Sequence, residues 1–168
     1  TLEHQQKRVR IVDAGTWTDA HGDHGHSYAV VPSRLDAVIE GTVYHAISDG
    51  AQSVIWNDDT GDIEVIDAGD FEDGTVTPRI IERNDVHHGV AVPLSEGYLV
   101  SFSADGEPVG VARLDEGGAE IERYEGCTGL HGEAHIGKDG YAFGCQDGIL
   151  VVDGDGARAL PSPVAGAG

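Results

Sequence analysis

The chain has 168 residues, enough for one domain with a sizeable core, and sets 30 Asp plus Glu against 10 Lys plus Arg for a formal net charge of −20. That balance weighs against nucleic acid as a partner, which needs clustered basic charge. It favours cations, which an acidic field concentrates, although a salt-adapted or high-GC source accounts for the same composition. No stretch approaches the roughly 18 apolar residues of a membrane-spanning helix.

In chain order, Thr1 to Arg10 is polar and charged; it has no signal-peptide character and reads as a mature or trimmed terminus. Arg10-Ile11-Val12-Asp13-Ala14-Gly15 then matches Glu64-Val65-Ile66-Asp67-Ala68-Gly69 at an offset of 54 residues. Between the first of these runs and His45 lies His21-Gly22-Asp23-His24-Gly25-His26, a histidine-rich loop within an insertion over about residues 16–32. A loop lengthened beyond its repeat and loaded with ligands reads as functional. Three imidazoles and the Asp23 carboxylate suit a zinc ion, which prefers four ligands in a tetrahedron. The glycines let the backbone turn tightly, and His24 and His26 would share a face on a strand. Asp23 either ligates or orients a ligating histidine. The bland alternative is a solvated polar loop. Ser33 to Glu40 has a weak helical pattern but reads better as loop plus strand.

The remainder is a repeat. His45 to His88 is 43 residues and His88 to His131 is again 43. Each histidine opens a series of short strands separated by Gly and Asp turns, with second strands at 53–57, 98–102 and 141–145 and third strands at 63–67, 109–114 and 149–152. The first two units add a fourth strand near 79–83 and 119–124. Four strands in about 43 residues is the size of a propeller blade. The expectation is an all-β chain, a β-propeller of about three and a half four-stranded blades over residues 1–160, with a flexible tail at 161–168. An open row of blades is either part of a longer propeller or half of a ring completed by a second copy.

His45, His88 and His131 share one repeat position, at the start of each innermost strand, and should ring one end of a central channel. His87 and His135 add nitrogen nearby and Glu133 adds oxygen. These imidazoles serve either as metal ligands or as structural groups that bond neighbouring backbone. The loop before a first strand and the loop before a fourth strand lie on opposite faces of a blade, so loop and ring make two sites unless the insertion folds back. Glu133 is the single tempting general base and reads better as a supporting or turn residue. Hydrolase and phosphate-loop motifs are missing. Cys127 and Cys145 are the two cysteines; a disulfide, half a metal site and two buried thiols all remain open, the first being favoured. A disulfide would imply an oxidising compartment.

Several runs together resemble the periplasmic zinc metallochaperones of the AztD type. They are Val12-Asp13-Ala14-Gly15-Thr16-Trp17-Thr18 followed by the histidine loop, His87-His88-Gly89-Val90-Ala91-Val92-Pro93, Cys127-Thr128-Gly129-Leu130-His131-Gly132-Glu133-Ala134, and Ala142-Phe143-Gly144-Cys145. The resemblance covers roughly residues 9 to 152. It implies a secreted propeller, not an enzyme, that binds Zn2+ and hands it to the solute-binding protein of a zinc ABC transporter. It also implies a Cys127–Cys145 disulfide and a zinc-acquiring role for the loop. Members of that family are about twice as long. The expected metal residues are His21, Asp23, His24, His26, His45, His88 and His131, with no catalytic residue. A metal-dependent propeller hydrolase or lactonase, and a propeller scaffold without metal, are the rival readings.

Overall fold

The computed structural model describes residues 2–31, 33–72 and 76–162. Strands β1 (Leu2–Glu3) and β2 (Arg8–Asp13) flank a single 3-10 turn, His4–Gln6. A detour follows through β3 (Thr16–His21) and β4 (His24–Ala29) before β5 (Ser33–Glu40) pairs antiparallel with β2. Three four-stranded antiparallel meanders come next. The first is β6 (Ala46–Ser48), β7 (Gln52–Asn57), β8 (Asp62–Asp67) and β9 (Arg79–Ile81), with the short helix α1 (Ala68–Glu72) between the last two. The second is β10 (Ala91–Pro93), β11 (Tyr98–Ala104), β12 (Glu107–Leu114) and β13 (Glu120–Glu125). The third is β14 (Glu133–Ile136), β15 (Gly140–Cys145), β16 (Gly148–Asp153) and β17 (Gly156–Pro161).

The middle strands of the first two meanders carry apolar residues at consecutive positions because those sheets are covered on both faces. Side chains alternate across a strand. Val54 and Trp56 of β7 therefore pack toward the second meander, against Tyr98, Val100, Phe102, Ala112 and Leu114. Ile55 between them packs backward on Val9 and Ile39 of the β1-β2-β5 sheet. Likewise Leu99 and Val111 face forward onto Tyr141, Phe143, Leu150 and Val152 of the third meander. Four sheets thus stack in chain order, face to face, in the manner of propeller blades. Among the described residues there is no closed ring of sheets.

Three departures from the sequence reading are physical. The third meander has a fourth strand, β17. Its small residues Ala157 and Ala159 hide the apolar alternation that marks a strand, yet it is fully hydrogen-bonded to β16. Pro161, which the sequence reading gave to the tail, is the last residue of β17; residues 163–168 lie outside the described residues. The ring histidines sit just ahead of their strands, because β6, β10 and β14 begin at Ala46, Ala91 and Glu133.

Candidate metal centres

The histidine-rich insertion is a two-stranded ribbon. β-branched and aromatic residues favour extended backbone on its first strand, and Gly22, at φ +63°, supports the two-residue turn with Asp23. The ribbon is closed at its base by Val30 N–H donating to the Gly15 carbonyl at 2.7 Å. The register pairs Trp17 with Tyr28, Asp19 with His26, and His21 with His24. Alternation places all six side chains on one face, and the opposite face carries the Thr18–Ser27 hydroxyl pair at 3.4 Å. The imidazole centroids stand 4.7 Å (His21–His24), 5.1 Å (His21–His26) and 5.2 Å (His24–His26) apart. One ligand nitrogen from each of the three lies within 4.8 Å of the others, the one such group of three or more among the described residues. Two nitrogens bound to one zinc at about 2.1 Å can be at most about 4.2 Å apart. A small side-chain rotation therefore completes the set.

Asp23 sits in the turn rather than on that face. Its Oδ1 accepts from His24 Nδ1 at 3.1 Å, and this hydrogen bond is the largest influence holding its carboxyl below the usual range. The bond leaves His24 Nε2 as the ligand atom. The structure thus brings His21, His24 and His26 together and puts Asp23 behind one of them. All four are exposed.

The repeat-position histidines also meet. Centroids lie 5.4 Å (His45–His88), 5.4 Å (His88–His131) and 6.0 Å (His45–His131) apart. This triangle is wider than the ribbon's, and among the described residues only the ribbon brings three ligand atoms within 4.8 Å of one another; the triangle's backing differs too. His88 Nδ1 donates to Asp58 Oδ2 at 2.7 Å, across from the turn between β7 and β8. His45 Nδ1 lies 3.0 Å from Glu133 Oε2. The second contact is an ion-pair approach, and Glu133 Oε2 is a buried oxygen that no well-aligned hydrogen bond reaches. Proximity of Glu133 is also the main influence raising the His45 pKa, against the opposing effect of burial. Carboxylates on Nδ1 fix the tautomer in which Nε2 carries a lone pair, the state a metal ligand needs. Tyr44 packs edge-on against His88 at 4.7 Å and stacks on His4 at 4.7 Å, walling one side of the triangle.

The segment carrying His131 is clamped. A Cys127–Cys145 disulfide ties it to the end of β15, and His131 N–H donates to the Gly144 carbonyl at 2.9 Å.

Neither neighbouring histidine, His87 or His135, joins the triangle, although both were expected to add nitrogen nearby. His87 is buried with both nitrogens engaged. Nδ1–H donates to the Asp85 carbonyl at 2.7 Å and Nε2 accepts from Ser101 Oγ at 2.8 Å. It also lies against Trp56, whose Nε1–H donates to the His87 carbonyl at 3.1 Å. The structural role foreseen for a repeat histidine thus falls on His87. Gly89 permits the approach, since a Cβ there would come within 2.4 Å of the Trp56 ring. His135 stands against Tyr141 and donates Nε2–H to the Lys138 carbonyl at 3.3 Å.

Sequence reasoning missed Asp58, Tyr44 and His4. Asp58 looks like a turn residue because its contact crosses between sheets over a separation of 30 residues. Tyr44 had a signal in its position beside His45. The base of the ribbon and the triangle leave opposite ends of β5, whose eight residues span about 26 Å.

No family model matches the chain. Two solved structures of AztD from Citrobacter koseri are similar to it. The first, a crystal structure, aligns over 99% of this chain with a TM-score of 0.81, and the second, of the apo protein, over 96% with 0.82; both are 24% identical to it. The fold is of the AztD type. The chain spans 46% of the length of each of those structures.

Proposed function

We propose that this chain is an extracytoplasmic zinc-binding protein that takes zinc at the exposed ribbon and holds it at the His45–His88–His131 triangle. It passes the ion to the solute-binding component of a zinc ABC importer without chemistry on a substrate. The observation that carries this reading is the convergence of His21, His24 and His26 to ligand distance on a solvent-facing ribbon. Those residues suit a borderline cation, and an exposed ribbon gives an incoming or outgoing ion direct access. The triangle complements it, with imidazoles half-sheltered and two of them backed by Asp58 and Glu133. Ribbon and triangle are two sites, and the four sheets are about three and a half blades of a propeller. The remaining blades come from further sequence of the same protein or from a second copy. The disulfide accords with an oxidising compartment.

A competition titration against a chromogenic zinc chelator tests this on the wild type and on the His21→Ala/His24→Ala/His26→Ala variant. Tight binding that weakens in the variant, with transfer of zinc to an apo solute-binding protein in the presence of chelator, is expected. Absence of tight binding by either chain overturns the reading.

A further inference from the structure

Tyr44, His87 and Leu130 stand at one repeat position, each just ahead of a triangle histidine and 43 residues from the next. The fold treats the three differently. Tyr44 is exposed and lies against the His88 ring. Leu130 is buried in the apolar layer between the second and third meanders, and its segment is tied down by the Cys127–Cys145 disulfide. His87 is buried like Leu130, but it belongs to a unit without cysteine. Leu130 shows that an apolar side chain fills this position, so packing alone does not explain a buried imidazole, which must be hydrogen-bonded to be tolerated there.

What the imidazole supplies is a lock with two sides. Toward the second meander, His87 Nε2 accepts from Ser101 Oγ at 2.8 Å, and the same oxygen accepts Val90 N–H at 2.9 Å. The Asp85 carboxylate accepts the Ser103 N–H, at 2.9 Å, and the Ser103 hydroxyl. Toward the first meander, Asp62 Oδ1 accepts the N–H groups of Arg83 and Asn84 at 2.8 and 2.9 Å. Asp85 N–H donates to the Gly61 carbonyl at 3.2 Å, and Trp56 Nε1–H to the His87 carbonyl at 3.1 Å. His87 Nδ1–H joins the two sides by donating to the Asp85 carbonyl at 2.7 Å. His88 is the next residue along this pinned backbone. Gly61 closes the turn whose Asp58 backs the His88 ring, so one set of bonds fixes His88 relative to its own carboxylate.

We infer that Asp85, His87 and Ser101 form a positioning device for His88. It does by hydrogen bonds in the second unit what the disulfide does covalently for His131 in the third. The inference rests on the reading of the triangle as a zinc site. His87 is not a ligand, since both its nitrogens are engaged; it acts through the backbone of its neighbour. A ligand whose supporting bonds are already made loses little further freedom when the ion arrives.

The test uses the full chain with His21→Ala, His24→Ala and His26→Ala, so that the triangle is the remaining site. Zinc affinity is read by chelator competition, and Co2+ alone is titrated to follow the visible absorption of the bound ion. His87→Leu, which copies the third unit, and Ser101→Ala should each weaken zinc binding about 10- to 100-fold, as for a group that orients a ligand. Both should also alter the cobalt bands, which a loss of stability alone would not do. At the partly exposed position 103, Ser103→Ala should cost about 10-fold, while Ser103→Thr, which keeps the hydroxyl for Asp85, should bind like the parent. In the metal-free variants amide exchange should quicken across residues 85–90. Unchanged far-UV circular dichroism confirms that the sheets still form; should His87→Leu fail to fold, Ser101→Ala and the Ser103 pair decide. Zinc affinity within about twofold of the parent in these variants, with unaltered cobalt bands, reduces the lock to a structural role and overturns the inference. Failure of the zinc reading looks different: the parent itself binds no zinc and shows no cobalt band, and the inference falls with it.

Discussion

The ribbon and the triangle each bring three imidazoles together and differ in what stands behind them. The ribbon has no core: every residue from Thr16 to Ala29 is exposed, and its shape rests on one ladder of hydrogen bonds and a stacked aromatic pair. The triangle is assembled from three loops, each rooted in a different sheet, and neighbouring sheets are locked together by the apolar layers between them. Two of its imidazoles are also held by carboxylates, and the segment of the third by a disulfide. Preorganised ligands on rigid elements hold an ion with little further ordering, whereas an exposed ribbon exchanges its ion freely. On the zinc reading proposed above, the same residue type suits capture in one place and retention in the other.

The sharpest contrast lies in the two tryptophans. Trp56 is 0% exposed and Trp17 is 53% exposed. Trp56→Ala should cost about 3–5 kcal/mol of stability by denaturant unfolding, while Trp17→Ala should fall within about 0.5 kcal/mol. Comparable losses at both positions would mean that the ribbon is packed against the sheets. Next in size, replacing both Cys127 and Cys145 by Ala should lower stability by about 2–4 kcal/mol. It should also weaken zinc at the triangle while sparing the ribbon. At the triangle, Asp58→Asn or Glu133→Gln should reduce zinc affinity about 10- to 100-fold in a chain lacking the ribbon histidines, with no effect when the triangle histidines are removed instead.

The smallest effect is in pH. Because Glu133 raises the His45 pKa, the protonated pair contributes to the stability of the metal-free fold. That contribution is fully present below about 6.5, the unfolded value, and is lost as pH rises through the raised folded value. Zinc must displace the same proton. Glu133→Gln should therefore move the acid limb of triangle binding to lower pH, even as it weakens binding near neutrality. An unmoved limb would detach Glu133 from His45.

Much of this was legible before any coordinates. The 43-residue spacing predicts that His45, His88 and His131 share a position, and their rings meet at 5.4–6.0 Å. Turns at 58–61 and 105–106 fall where Asp and Gly were read to end the strands, and the third falls one residue earlier than expected, at 146–147. The expected loop at 16–32 is instead a strand pair, because hydrogen bonding across Gly22-Asp23 satisfies backbone groups that an irregular loop would leave to water. What stayed hidden depends on contacts between sheets: Asp58 under His88, and the engagement of both His87 nitrogens. No local pattern encodes which turn of one sheet faces which loop of the next.

The Cys127–Cys145 link gives the triangle a birth date. In a reducing solvent that bond is absent, and the segment bearing His131 loses the covalent tie that holds it to β15. A newly made chain then carries the imidazoles but not their full arrangement. Oxidation supplies the missing constraint, so the crosslink couples the arrangement of the three rings to the redox state of the chain's surroundings.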